Sequence, residues 1–150
     1  QSNNRAVNRQ GSTMELIPQT PEMVKKDWDF FVEAIEATAT KAQQDYTPQG
    51  VYLAVKDYEV TVFHVYQDGE RRGLLVLTDH TDLYTSKAVL HVDILYLTGP
   101  SLIQDMHDSL SAMVDEHGFD QIEFRSPRKG WFKYLSNAGF KACTTFSKEF

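Results

Sequence analysis

The spacing of apolar residues changes along the chain, and each change marks a new kind of element. Between residues 21 and 46, Val24, Trp28, Phe31, Ile35, Thr38 and Ala42 recur every three or four positions with charged residues between them. That is the period of a helix that buries one stripe. Thr20 and Pro21 open it. The threonine side chain can accept from a free backbone N–H, and proline in the first turn sacrifices no hydrogen bond. Tyr46-Thr47-Pro48-Gln49-Gly50 closes the stretch by turn chemistry, and one long helix or two shorter ones fit it equally. Ahead of it, residues 15–18 read as a short first strand.

From residue 51 the period falls to two. Residues 51–55, 60–66 and 73–78 are rich in β-branched and aromatic side chains, with Asp57 and Glu59 flanking one turn and Asp68-Gly69 opening the next. This predicts an antiparallel meander. Residues 88–97 form the longest predicted strand, broken by Gly99-Pro100-Ser101. Ser101 and Gln104 have capping-box spacing, and Leu102, Ile103, Met106, Leu110, Met113 and Val114 then line one face of a helix closed by His117 and Gly118. A strand at 121–125, a short helix at 128–137 and a last strand at 140–146 follow.

A tight hairpin cannot join parallel neighbours but a helical crossover can, so the strands at 88–97 and 121–125 are expected to be a parallel pair crossed by the helix at 101–117. The expected fold is therefore α/β, a mixed and mostly antiparallel sheet with one parallel pair. Neither a repeat nor a linker divides it, so residues 14–150 are expected to form one domain. Residues 1–13 contain one aliphatic side chain larger than alanine, Val7, and are expected to be a disordered arm or a tag remnant. Ligands in such sheets sit at the carboxyl ends of parallel strands, near helix N-termini. This directs attention to residues 97–101 and 125–131.

Composition narrows the function classes. With 41% hydrophobic and 24% charged residues the chain is ordinary globular material, and its net charge of −6 argues against general nucleic-acid binding. The charge is uneven: residues 121–150 hold six Lys or Arg against two acids. No apolar stretch is long enough to span a bilayer, so no membrane association is expected. One cysteine, Cys143, offers neither an internal disulfide nor a zinc site and reads as a spectator thiol. A reducing, cytoplasmic setting fits.

Three stretches then carry a likeness. Glu15-Leu16-Ile17-Pro18-Gln19-Thr20-Pro21-Glu22-Met23 pairs a short strand with a Pro-Glu helix start. Asp68-Gly69 is followed by Gly73-Leu74-Leu75-Val76. Trp131-Phe132-Lys133-Tyr134-Leu135-Ser136-Asn137-Ala138-Gly139-Phe140 ends a helix on Gly-Phe. In that order they resemble the GNAT superfamily of acyl-CoA N-acyltransferases, over about residues 14–150. The resemblance implies a GNAT-like sheet with helices on both faces and acetyl-CoA as the cofactor if the protein is active. The basic-Gly-Trp stretch at 128–131 also resembles divergent GNAT-like proteins of tailed bacteriophages, some of them virion components. That would place the protein in host cytoplasm or virion.

The departures bear on activity. Active superfamily members follow the fourth strand with a Q/R-x-x-G-x-G/A loop whose bare N–H groups grip a pyrophosphate. Here the stretch is Leu97-Thr98-Gly99-Pro100-Ser101-Leu102, with one glycine, a proline lacking its N–H and no basic residue. The resemblance assigns the cofactor to Gly99, Ser101 and Leu102, with Arg128 and Lys129 as substitute cations. The family's tyrosine acid falls on Leu135, one position from Tyr134, and one position on a helix turns a side chain by about 100°. This looks like a fold kept and a site lost: a non-catalytic domain, or pseudoenzyme, that acts by binding a protein partner. The alternative is an active acetyl-CoA-dependent N-acyltransferase.

For that chemistry, His91 and Asp93 share one strand face and could serve as base and orienting partner, with Tyr134 as the acid. A solvated strand face accounts for the same two residues. Tyr96 falls on the opposite face by parity and is expected in the core. Asp79, His80 and Asp82 lie in a loop without metal-ligand spacing, so no metal is expected. Arg125, Arg128 and Lys129 put three cations in five positions beside Trp131, an anion or partner patch at a helix entry.

Overall fold

The computed structural model describes residues 4–7, 13–99, 102–125, 129–143 and 145–150. Thr20 accepts a 3.2 Å bond from the Met23 amide and Pro21 follows, so α1 runs Pro21–Lys26. Asp27 breaks it, and α2 continues as Trp28–Ala42 until Gln43 turns left-handed. Two helices, then, share the stripe.

A third helix, α3, spans Pro48–Lys56 and corrects the strand expected at 51–55. Thr47 and Pro48 end one element and start another: the Thr47 hydroxyl accepts from the Gly50 amide at 3.0 Å. A strand would turn Val51, Leu53 and Val55 to one side. Instead Val55 is buried, Val51 packs beside it, and Leu53 is 59% exposed. Five apolar residues in a row do not distinguish the two periods.

The sheet has six strands in chain order. They are β1 Asn4–Val7, β2 Thr13–Gln19, β3 Thr61–Gln67, β4 Glu70–Thr81, β5 Ala88–Leu97 and β6 Gln121–Phe124. All neighbours are antiparallel except β5 and β6, which are parallel across α4, Ile103–His117. This is the expected class. Asn4–Val7, expected outside the fold, pairs with residues 13–16 of β2, because that strand edge offers unpaired backbone groups. A 3-10 turn, Lys129–Trp131, leads into α5, Phe132–Asn137. The strand expected at 140–146 does not form among the described residues. Phe140 folds back onto His107 and Phe124, while Phe146 is 93% exposed with no strand beside it. The capping box expected at Ser101 lies outside the described residues.

Each face of the sheet has its own core. Met14, Leu16, Val65, Leu75, Leu90 and Val92 pack against Met106 and Leu110 of α4. On the other face Val62, Leu74, Val76 and Ile94 pack against Val24, Phe31 and Ile35.

One irregularity connects these layers to the site. Val76 pairs with Ile94 and Leu77 with Val92, so Asp93 is an extra residue, a β-bulge. It reverses the alternation of β5. Val92 faces α4, Ile94 faces the helices opposite, and Tyr96 joins that second layer, its hydroxyl 3.1 Å from Glu33 of α2. The expectation that Tyr96 lies opposite His91 and Asp93 is thereby corrected. Simple parity fails across a bulge.

Candidate functional site

The parallel strands pair only from Val89 with Gln121 to Val92 with Phe124. A last bond joins the Arg125 amide to the Val92 carbonyl at 3.0 Å. Beyond it β5 runs on to Leu97, whereas β6 has ended at Phe124. Asp93 stands just past the last parallel pair, where the bulge re-aims its side chain. The cleft that opens there is bordered by Thr38, Lys41 and Tyr46 from α2 and the loop after it, by Asp93 and Ile94 from β5, and by Arg125 and Trp131.

A polar chain reaches Asp93 from behind. Thr78 donates to its carboxylate at 3.3 Å, His91 Nε2 lies 3.3 Å away, and His91 Nδ1 lies 3.0 Å from Glu123. Gln121 donates to the other Glu123 oxygen at 3.2 Å. A neutral imidazole has one N–H, so both His91 contacts are hydrogen bonds only when an additional proton sits on the ring or on a carboxyl. Burial pushes the Asp93 carboxyl above its usual range, against the opposing pull of His91, the Thr78 hydroxyl, Arg125 and His80. A carboxyl so placed is suited to accepting protons.

A second polar group lies at the end of β5. Arg72 is the extra residue of another bulge, between Tyr66–Arg71 and Val65–Gly73. Its Nε donates to the Thr98 carbonyl at 3.1 Å, and Thr98 returns its amide to the Arg72 carbonyl at 2.7 Å. Gly99 has φ +97, and a Cβ there would stand 1.8 Å from Arg72 Nη2. The guanidinium therefore rests against the bare Cα of Gly99, and its Nη1 meets Glu70 at 3.2 Å. The loop from Leu97 to Leu102 contains no basic residue, yet folding supplies one. No spacing in the sequence signals it.

No family model matches the sequence, and no curated protein matches it significantly. Solved structures do. A ribosomal-protein-alanine N-acetyltransferase from Brucella melitensis biovar Abortus superposes with a TM-score of 0.65 at 14% identity, covering 91% of this chain and 99% of its own. An aminoglycoside acetyltransferase from an uncultured soil metagenomic sample, solved with sisomicin, gives 0.63 at 12%, covering 91% and 96%. A predicted acetyltransferase with acetyl-CoA from Clostridium acetobutylicum gives 0.63 at 11%, covering 91% and 95%. The chain has the GNAT acetyltransferase fold. At these identities the likeness is one of architecture.

Within that GNAT fold the sequence-predicted residues separate. His91 and Asp93 are brought together, but Tyr134 is on the α4 side, its hydroxyl 3.1 Å from His107 Nδ1. Leu102 is the buried N-cap of α4, without a side-chain capping bond. Arg125 and Trp131 border the cleft, Lys129 opens the 3-10 turn, and Ser101 and Arg128 lie outside the described residues. Cys143 is exposed. Among the described residues, no group of three or more His, Cys, Asp or Glu could hold a metal ion, and no helix is long and apolar enough to cross a membrane.

Proposed function

We propose that this chain is an acyl-CoA-dependent N-acyltransferase in which Asp93 is the base facing the acceptor amine. The observation that carries the reading is Asp93, left out of the β4–β5 ladder by the bulge, bordering the cleft and backed by His91 and Thr78. The roles assigned from sequence are thus reversed. Asp93 takes the proton from the amine, and His91, with Glu123 behind it, holds the carboxylate in place and disperses the charge.

The group that the fold implies fits the residues present. Arg72 fills the space beside the bare Cα of Gly99, and α4 begins at Ile103 with no side-chain capping bond among the described residues. Arg72 would hold the cofactor's phosphates through charge. When bound, acyl-CoA supplies an activated thioester. The solved acetyltransferase with acetyl-CoA from Clostridium acetobutylicum shares this architecture.

A second reading, a non-catalytic domain that binds a protein partner, as in a phage virion, draws on the loop composition. One glycine and a proline stand between Leu97 and Leu102, and Tyr134 is engaged by His107.

Calorimetric titration with acetyl-CoA, followed by thiol release in the presence of an amine mixture, separates the two. Micromolar binding that Arg72→Gln weakens, with release that Asp93→Asn slows while binding persists, supports the transferase. Absence of binding at millimolar acetyl-CoA would overturn it in favour of the partner-binding domain.

A further inference from the structure

We infer, resting on the transferase reading, that the acceptor is an amine that also carries a carboxylate on an apolar or aromatic body. The cleft brings opposite charges together on different elements. Asp93 is its acid. Lys41, in the last turn of α2, and Arg125, just past β6, are both exposed and border the same space. Lys41 stands where a helix C-terminus favours a cation anyway. Arg125 has no such duty: its amide is fixed on Val92, and among the described residues no carboxylate lies within salt-bridge distance of its guanidinium. It is still close enough to Asp93 to pull that carboxyl downward.

An acceptor with only an ammonium group would approach Asp93 past two like charges. A carboxylate on the same molecule reverses that repulsion and gives the planar Arg125 fork a partner of matching geometry. Tyr46 and Trp131, both half-buried, supply flat apolar surface beside the two charged ends. Fixing the carboxylate also orients the amine towards Asp93, which limits the poses it can adopt.

The test is binding, so it does not depend on turnover. Isotope-labelled protein is titrated with aliphatic and aromatic amino acids, each against its decarboxylated amine: leucine against isoamylamine, phenylalanine against phenethylamine. O-phosphoethanolamine against ethanolamine forms a phosphate arm. Each amino acid should bind about 10-fold more tightly than its amine, the scale of one charge-assisted hydrogen bond. Arg125→Gln should bring that ratio close to one, and Arg125→Lys should restore part of it. Equal binding of amine and amino acid, discrimination by the phosphate pair alone, or no binding by any member would overturn the inference. Acetyl-CoA binding without amino-acid preference removes this inference and spares the transferase; the converse removes the transferase and spares the site.

Discussion

A methyl group placed on Gly73 would stand 1.9 Å from the carbonyl oxygen of Tyr96 and 2.9 Å from its carbonyl carbon. Both obstacles are backbone in the middle of the sheet, so neither can swing aside. Gly73→Ala is expected to lower stability by roughly 1–3 kcal/mol or more, as forced overpacking does. Gly130, where an added Cβ meets nothing, is the control, and its alanine variant should stay within about 0.5 kcal/mol. Denaturant midpoints of the two variants decide the matter.

His64 gives the fold an acid limb. It is buried on β3 beneath Phe30, with Arg71 lying over the same ring and paired to Asp27. Burial, reinforced by Arg71 and opposed by Asp27, lowers its pKa from 6.5 to about 4. Because the folded value is the lower one, the unfolded chain takes the proton first. The contribution is complete above pH 6.5 and is lost as pH falls towards 4, at most about 3.5 kcal/mol at 1.4 kcal/mol per unit. His64→Gln should flatten the stability–pH profile across that window. An unchanged slope would show that other groups set it.

On the transferase reading, Asp93 should govern the pH dependence of turnover. Its carboxyl is raised by burial, so kcat/KM is expected to rise with pH through a limb above the ordinary aspartate range. His91 pulls that carboxyl down, so His91→Gln should move the limb to higher pH. Asp93→Asn should remove the limb and cost about 10²–10⁴ in kcat, the usual worth of a positioned base. A limb that stays in place in both variants would assign the base elsewhere.

Tyr134 separates a structural hydroxyl from an acid. Its bond to His107 joins α5 to α4, so Tyr134→Phe should cost about 0.5–1.5 kcal/mol of stability and leave kcat within a few-fold. A loss of two orders of magnitude in kcat with normal stability would make it the acid that protonates the leaving thiolate.

Removing the Thr47 hydroxyl tests α3. Thr47→Ala leaves the Gly50 amide without its acceptor and should lower stability by about 1 kcal/mol, read by thermal melts. Were residues 51–55 a strand, the substitution would be silent.

Much of this architecture was legible because periodicity reports burial. The stripe from Val24 to Ala42 and the face from Ile103 to Met113 repeat with the period of a helix, and the strand at 88–97 shows as a long apolar run between turn residues. What escaped had no period to read. Val51 to Val55 is too short to choose between helix and strand, although Thr47 and Pro48 signalled a helix start. Residues 140–146 have strand composition, but pairing needs a neighbour that composition does not reveal. Asp93 is an added residue only in relation to β4, so neither the bulge nor the reversal at Tyr96 could be seen in β5 alone. Arg72 reaches Gly99 through the pairing of three strands, a relation between distant residues.

The bulge in β5 marks the one residue that the ladder between β4 and β5 does not use there. Val92 and Ile94 already face opposite layers across from Leu77 and Val76, so closing the strand by one position would leave Tyr96 in its layer and the Thr98–Gly99 bend beside Arg72. What Asp93 adds to the strand is a carboxyl at the cleft. Deleting that residue would therefore take away the acid and spare the architecture around it.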